Sequence, residues 1–168
     1  IDISGFKPTH KSSLKSSLPY YNYPQTLILV HNTFTDESDI LFAKKTGKKL
    51  FWCLCPNANI YIENRMPPVE LLLKQDVKII LGTDSLASNH RLSILEEIKT
   101  LRKYFPHVKL ETMLIWATKN GAEALHCANK YGSFEKGKTP GILHLTPFRK
   151  NEAGEIILLE AVELKRIK

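Results

Sequence analysis

The chain has 168 residues with 43% hydrophobic content, which predicts one globular domain with a true core and room for only a small appendage. The formal net charge of +7 comes with scattered lysines and no zinc finger, RNP-like motif or Arg-rich tract, which favours a solvated basic surface over nucleic-acid binding. No apolar run approaches the roughly eighteen residues that span a bilayer, and the first residues lack a signal-peptide pattern. The sparse, odd cysteine count favours a reducing cytoplasm.

The first half of the chain alternates strands and helices. Residues 1–25 are polar and turn-rich, which predicts loop with one short helix. A predicted strand over 26–31 ends at His31, and a helix follows, with acidic residues in its first turn and Gly47 as a left-handed cap after its last turn. A second strand is predicted over 50–55.

The third predicted strand carries the most informative stretch of the sequence. A loop over 57–66 and a helix over 69–75 precede this strand, which covers 77–81 and leads through Gly82 and Thr83 to Asp84. The order strand, helix, strand, helix, strand predicts parallel strands with right-handed crossovers.

The second half of the chain is first helical and then β-like. Helices are predicted over 92–104, 110–119 and 122–129 from apolar spacing. Glycine and proline become frequent after Tyr131, and the short apolar pieces 142–145 and 155–167 predict a few antiparallel strands.

His31 and Asp84 each follow a predicted buried strand. Because ligand chemistry gathers at the carboxyl ends of parallel strands, the two side chains are expected at one edge of one sheet. Each residue alone has a plain structural interpretation, a hydrogen-bonded histidine or an aspartate that caps a helix. Together they indicate the start of a metal site or an acid–base site.

Cys53 and Cys55 alternate on the second predicted strand and therefore face the same side. Two thiolates could ligate a metal, but no further Cys or His pair accompanies them, so buried small side chains are the favoured interpretation. The sequence also lacks a phosphate-binding Gly-Lys loop, a Gly-x-Ser-x-Gly elbow and the zinc signature of cytidine-type deaminases.

A set of short motifs adds a family resemblance. The motifs are His31-Asn-Thr-Phe-Thr35, Cys55-Pro-Asn-Ala-Asn59, Pro67-Pro-Val69, Leu81-Gly-Thr-Asp84, Ala87-Ser-Asn89, Ala117-Thr-Lys-Asn-Gly-Ala-Glu-Ala124 and Gly132-Ser-Phe-Glu-Lys-Gly-Lys138. Over about residues 26 to 148, their order and spacing resemble the carboxyl-terminal half of the amidohydrolase superfamily, in the branch of guanine deaminase, S-adenosylhomocysteine deaminase and the triazine chlorohydrolases.

The resemblance implies an α/β fold, a (β/α)₈ barrel of which this chain holds the carboxyl-terminal half. Residues 1–139 would supply strands six to eight with their following helices. Residues 140–168 would supply a few strands of a small composite β-sandwich.

The resemblance also implies roles for four residues and one divalent metal ion, Zn²⁺ or Fe²⁺. Asp84 matches the metal-ligand aspartate that acts as general base. His31 matches the histidine that polarises the substrate or orients the attacking hydroxide. Ser88 and Ser85 lie in the loop that contacts substrate.

The chain departs from the family in what it lacks. In the family, the first metal ligands are a His-x-His pair on strand one, and a further histidine and a catalytic glutamate come from strand five. This chain has no His-x-His pair, and its remaining histidines match no family ligand; they are His10, His90, His107, His126 and His144. The sequence also does not begin with Met. We therefore expect a carboxyl-terminal fragment that is inactive alone and holds no ion tightly.

The function predicted for the whole enzyme is metal-dependent hydrolysis of a non-peptide carbon–nitrogen bond, with deamination of a purine-like or other N-heterocycle favoured. Triazine-like dechlorination stays open. The alternative class is a non-catalytic half-barrel, either an interaction module or a degenerate relative. Expected partners are a small-molecule substrate, the missing amino-terminal half and, by analogy with relatives, a second copy; nucleic acid and membrane are not expected.

Overall fold

The computed structural model describes residues 4–5, 7, 9–22 and 24–167, without the side chains of residues 159–161. Part of the predicted amino-terminal loop lies outside these residues. The described part of that segment contains helix α1, Ser13–Ser17, and a 3₁₀ turn, Leu18–Tyr20. The expectation of a loop with one short helix is confirmed for the described residues.

A parallel sheet forms the centre of the fold. Strands β1 (Thr26–Val30), β2 (Lys49–Leu54) and β3 (Ile79–Leu81) pair in the order β1-β2-β3. Val30 lies level with Cys53, and Cys53 with Ile80, so the strands end at one edge of the sheet. The predicted parallel α/β arrangement is confirmed.

Helix α2 (Glu37–Lys45) connects β1 to β2. Its amino end carries a capping box, in which the Asp36 carboxylate accepts from the Asp39 backbone and the Asp39 carboxylate accepts from the Asp36 backbone. After its carboxyl end Gly47 adopts φ +66°, the left-handed conformation predicted for that position.

The connection from β2 to β3 differs from the prediction. Residues 57–66 were expected to be loop, but helix α3 occupies Pro56–Glu63, and α4 (Val69–Lys74) follows it. Pro56 suits a first helical turn because its missing N–H would have no intrahelical partner. The asparagines of α3 led to the prediction of a loop, because asparagine favours turns unless tertiary contacts engage its side chain.

The helices after β3 also differ partly from the prediction. Helices α5 (Ile94–Tyr104) and α6 (Leu110–Ile115) were expected, but a π-helical turn, Trp116–Asn120, separates α6 from a short α7, Gly121–Ala124. The helix predicted over 122–129 therefore ends early. His126 adopts φ +55°, which an α-helix cannot accommodate.

The two faces of the sheet bury different side chains. The face with Trp52, Leu54 and Ile79 packs in the main helical core. The opposite face, called here the inner face, carries the buried residues Phe51, Cys53 and Ile80 and packs against Ala124 of α7.

At the amino ends of β2 and β3, the inner face is closed by ion pairs to α7. Glu123 of α7 lies 3.2 Å from Lys49 Nζ and 2.6 Å from Lys78 Nζ. Both ammonium groups also lie 5.6 Å from the ring centroid of Phe51. The short helix is thereby held against the end of the sheet opposite His31 and Asp84.

The carboxyl-terminal residues form a hairpin of β4 (Leu143–Lys150) and β5 (Ile156–Arg166), antiparallel with an irregularity between Thr146 and Phe148. The expected antiparallel strands are confirmed, while the division into barrel and sandwich shares at residue 140 stays a prediction. Within the described part of the chain, no helix has both the length and the apolarity to cross a membrane.

The 168-residue chain by itself is expected to self-associate. Ile28 and Val30 of β1 lie on the inner face and are 38% and 48% exposed, and only one edge of β1 pairs with another described strand. An open apolar face beside an unpaired edge favours association with further strands. Sedimentation velocity over a concentration series measures this, and a cooperatively unfolding monomer throughout the series would contradict the expectation.

Candidate active site

His31 and Asp84 lie together at the carboxyl edge of the sheet. His31 directly follows β1 and Asp84 stands three residues after β3, with β2 between the two strands. Nε2 of His31 lies 3.8 Å from Oδ2 of Asp84, and each side chain is 32% exposed. The fold thus brings the two sequence-predicted residues within reach of one small molecule.

Both residues hold an unusual backbone conformation. His31 has φ +66° and Asp84 has φ +57°, the left-handed region that non-glycine residues seldom adopt. The backbone N–H of His31 donates to the Cys53 carbonyl at 3.0 Å, which holds the chain against β2 as it leaves the strand. Such conformations cost of order 1–3 kcal/mol each and cluster at functional sites.

The serines of the following loop differ in their surroundings. Ser88 is buried, and its hydroxyl donates to Oδ2 of Asp84 at 2.5 Å. Ser85 is exposed, and its hydroxyl accepts from the backbone N–H of Ala87 at 3.3 Å. Substrate contact by either serine stays a prediction, whereas the observed contact of Ser88 orients the Asp84 carboxylate.

A buried carboxylate behind this loop did not emerge from the sequence. Glu97 of α5 is 0% exposed and accepts from Asn57 N at 2.9 Å, Asn57 Nδ2 at 3.0 Å and Asn89 Nδ2 at 2.6 Å. Burial raises the pKa of Glu97, and the three donors partly oppose that shift. Its burial could have been predicted from its position on the apolar side of α5, because it lies at helical spacing from both Ile94 and Leu101.

A second polar cluster lies behind the turn that follows His31. Thr33 and Asn59 are buried, and the Asn59 amide donates both to the Thr33 hydroxyl and to Glu63 Oε2, the latter at 3.0 Å. The Thr33 hydroxyl in turn donates to Glu63. Helix α3 therefore anchors the turn beside His31.

The cysteine pair lies on the inner face just below this edge. Cys53 and Cys55 are both buried, and the hydrogen bond with Cys53, together with burial, raises the pKa of Cys55. A Cβ on Gly82 would stand 2.9 Å from the Cys53 sulfur and 3.2 Å from the Cys55 sulfur, so the thiols occupy the space that glycine leaves free. These observations favour packing over metal ligation for the pair.

The described residues contain no group of three His, Cys, Asp or Glu side chains arranged to hold a metal ion. A catalytic zinc ion usually takes three protein ligands. Asp84 offers one carboxylate ligand, and the described residues alone do not complete a set of three.

Comparison with known proteins places these residues in a family. The model of the amidohydrolase family matches residues 3–158. The 5-methylthioadenosine/S-adenosylhomocysteine deaminase of Saccharophagus degradans is 35% identical over 66% of this chain and 26% of its own length. The 5'-deoxyadenosine deaminase of Methanococcus vannielii is 32% identical over 67% of this chain and 28% of its own length.

Solved structures that resemble this chain are also deaminases. An adenosine deaminase from Xanthomonas campestris with bound zinc has a TM-score of 0.59 and 31% identity, covering 67% of this chain and 27% of its own. Aminofutalosine deaminase from Helicobacter pylori, in complex with methylthio-coformycin, has a TM-score of 0.58 and 27% identity, covering 66% of this chain and 28% of its own.

The chain thus spans between a quarter and a third of the length of these proteins. Its relatives in the predicted branch are deaminases, as the sequence motifs indicated. With a family match that extends over most of its length, this chain belongs to the amidohydrolase family.

Proposed function

We propose that this chain is the carboxyl-terminal part of a metal-dependent hydrolase that removes the exocyclic amino group of a purine-like ring. The observation that carries the proposal is the 3.8 Å approach of His31 and Asp84 at the carboxyl edge of the parallel sheet. The names of the relatives support an aminated purine nucleoside as substrate, because they are deaminases of adenosine derivatives. The rest of the barrel would come from sequence outside these residues.

Asp84 is the proposed general base and acid. Its carboxylate takes a proton from the water that adds to the ring carbon bearing the amino group. It then gives that proton to the amino nitrogen, and the carbon–nitrogen bond breaks so that ammonia departs. The electron pair of the ring C=N bond stays on the ring nitrogen, which receives the second proton of the water as the carbonyl oxygen forms. The Ser88 hydroxyl, 2.5 Å from Oδ2, holds the carboxylate in one orientation during this exchange.

His31 is the proposed electrophilic residue. Its imidazole stands at the edge beside Asp84, where it can donate a hydrogen bond to the ring nitrogen that gains negative charge as the water oxygen adds to the neighbouring carbon. Because that charge is greatest in the transition state, the interaction accelerates the reaction more than it strengthens substrate binding.

A zinc or ferrous ion, when bound, supplies a Lewis acid that lowers the pKa of the attacking water. Asp84 is the residue of this chain proposed to hold it, because a carboxylate is a suitable ligand and stands at the sheet edge. The 168-residue chain alone is proposed to be inactive and to hold no ion tightly, since one carboxylate is too few ligands. A cytoplasmic location and a homodimer remain predictions.

The decisive experiment is an ammonia-release screen with the full-length protein, loaded with zinc or iron, over aminated purine nucleosides, free aminated heterocycles and chlorotriazines. Release of ammonia from a purine substrate, lost after chelation and restored by metal, is expected. Chloride release from a triazine would instead assign dechlorination, a reaction of the same family, to this protein. A metal-replete protein with no hydrolysis of any of these compounds would favour the non-catalytic half-barrel.

A further inference from the structure

We propose that Glu97 is a positioning residue that acts through Asn89 to hold the loop carrying Asp84 in its reactive arrangement. The inference rests on the proposed function for its kinetic consequence and on hydrogen-bond geometry for its structural part. Glu97 itself lies in α5, behind the loop, and is fully buried.

Asn89 closes the loop that carries Asp84. The Asn89 amide donates to the Thr83 carbonyl at 2.7 Å, directly before Asp84, and also to Glu97 Oε1 at 2.6 Å. The two ends of the loop are thereby fixed to each other and to α5. This closure supports the left-handed conformation of Asp84, which its own backbone preference would not maintain.

Asn89 is linked to the Asp84 carboxylate through the neighbouring Ser88. Ser88, the residue before Asn89, is buried and donates to Asp84 Oδ2. When Asn89 is held by Glu97, the Ser88 hydroxyl is directed at the carboxylate. Release of Asn89 would free both the backbone and the side-chain orientation of Asp84.

Helix α3 is hydrogen-bonded to Glu97 as well. Asn57 donates to Glu97 through its backbone and side-chain nitrogens, and its side-chain oxygen accepts from Thr100 at 2.6 Å. The other contacts of α3, from Asn59 and Glu63, hold Thr33 in the turn after His31. One helix therefore spans the two loops, and Glu97 connects it to the loop of Asp84.

The chemistry of this contact requires a carboxylate. All three partners of Glu97 are N–H donors, so both oxygens of the side chain act as acceptors. In Glu97→Gln the amide has the same shape, but its NH2 group opposes the Asn57 backbone N–H in one orientation and the side-chain amides of Asn57 and Asn89 in the other. The substitution therefore loses at least one of the three hydrogen bonds and weakens the connection with little change in volume.

The test compares Glu97→Gln, Asn89→Ala and their double variant in the full-length metal-loaded protein. The matched control is Glu96→Gln, which removes a neighbouring charge on α5 that pairs with Lys99. Loss of the group that hydrogen-bonds a metal-binding carboxylate, here Ser88, costs about 10–100-fold in metal affinity or activity, and release of Asn89 would misplace Ser88. We expect that loss in kcat and in zinc affinity for each single variant, with KM changed by less than about twofold. Because both residues act in one chain of contacts, the double variant is expected to lose no more than either single variant.

Hydrogen exchange of the backbone amides over 83–91 provides a readout that does not depend on catalysis. Faster exchange there in both variants, with Glu96→Gln like the parent, is expected. Additive losses in the double variant, or normal kcat per bound zinc with only a lowered melting temperature, would overturn the positioning role. If Glu97→Gln fails to fold, Asn89→Ala decides, because it leaves the Glu97–Asn57 contact in place.

Failure of the parent protein to deaminate any substrate would overturn the proposed function separately. The exchange and zinc-affinity measurements would still decide the inference in that case: unchanged exchange over 83–91 and unchanged zinc affinity in both variants would reject it.

Discussion

Asp84→Asn in the full-length protein is expected to lower kcat by roughly 10²–10⁴-fold, the range that a positioned acid–base group contributes. The amide keeps the shape of the side chain and an oxygen that can accept from Ser88, so the loop is expected to stay in place. It removes the negative charge and the basic oxygen, so both proton transfer and metal ligation are weakened. Steady-state kinetics with elemental analysis of the same preparations measure the two losses together.

The control for Asp84→Asn is Asp76→Asn, since Asp76 is an exposed aspartate that also has a left-handed backbone, with φ +48°, but lies before β3 at the opposite end of the strand. Its turnover and metal content are expected to match those of the parent. Near-normal turnover of Asp84→Asn on a substrate that the parent hydrolyses would exclude the amidohydrolase mechanism proposed for this site.

His31→Asn is expected to lower kcat by roughly 10²–10³-fold, as the loss of one preorganised electrostatic donor does elsewhere. Its metal content is expected to stay close to that of the parent, because His31 is assigned to the charge that develops on the substrate and not to the ion. Asparagine also tolerates the left-handed backbone that this position requires, φ +66°, so the fold is expected to persist. Kinetics and zinc stoichiometry of one preparation separate the two effects.

His90→Asn is the matched control for His31→Asn. His90 is an exposed imidazole whose ring meets Tyr61 edge-on at a centroid distance of 6.4 Å, and it takes part in no proposed step. Its kinetics are expected to be unchanged. A His31→Asn protein that loses its zinc in proportion to its activity would make His31 a metal ligand instead of an electrophilic residue.

The left-handed backbone at both positions is consistent with the two proposed roles. Each residue leaves a strand that ends at the sheet edge, and the reversed φ angle turns the chain there while the side chains converge. Observed outliers of this kind support a functional hypothesis, since the surrounding contacts must offset their cost. The polar clusters around Glu97 and Thr33 provide such contacts.

Several features were predictable from local sequence. Apolar runs predicted the parallel strands, Gly47 predicted the end of α2, and the residues after the strands predicted where His31 and Asp84 would lie. These predictions succeeded because strand burial, helix capping and strand-end placement depend on side chains that are near in sequence. The motifs around these residues also predicted the family, which the comparisons confirm.

Other features were decided by tertiary contacts. Helix α3 was predicted as loop, because its asparagines favour turns until Glu97, Thr100 and Thr33 engage them. The hydrogen bonds of Glu97 were also not predictable, since its partners lie 8 and 40 residues away in sequence. By itself the sequence determined the strands, the family and the two residues at the sheet edge. Only the tertiary structure decided how those residues are held, because a buried carboxylate is stable only where separate segments bring donors to it.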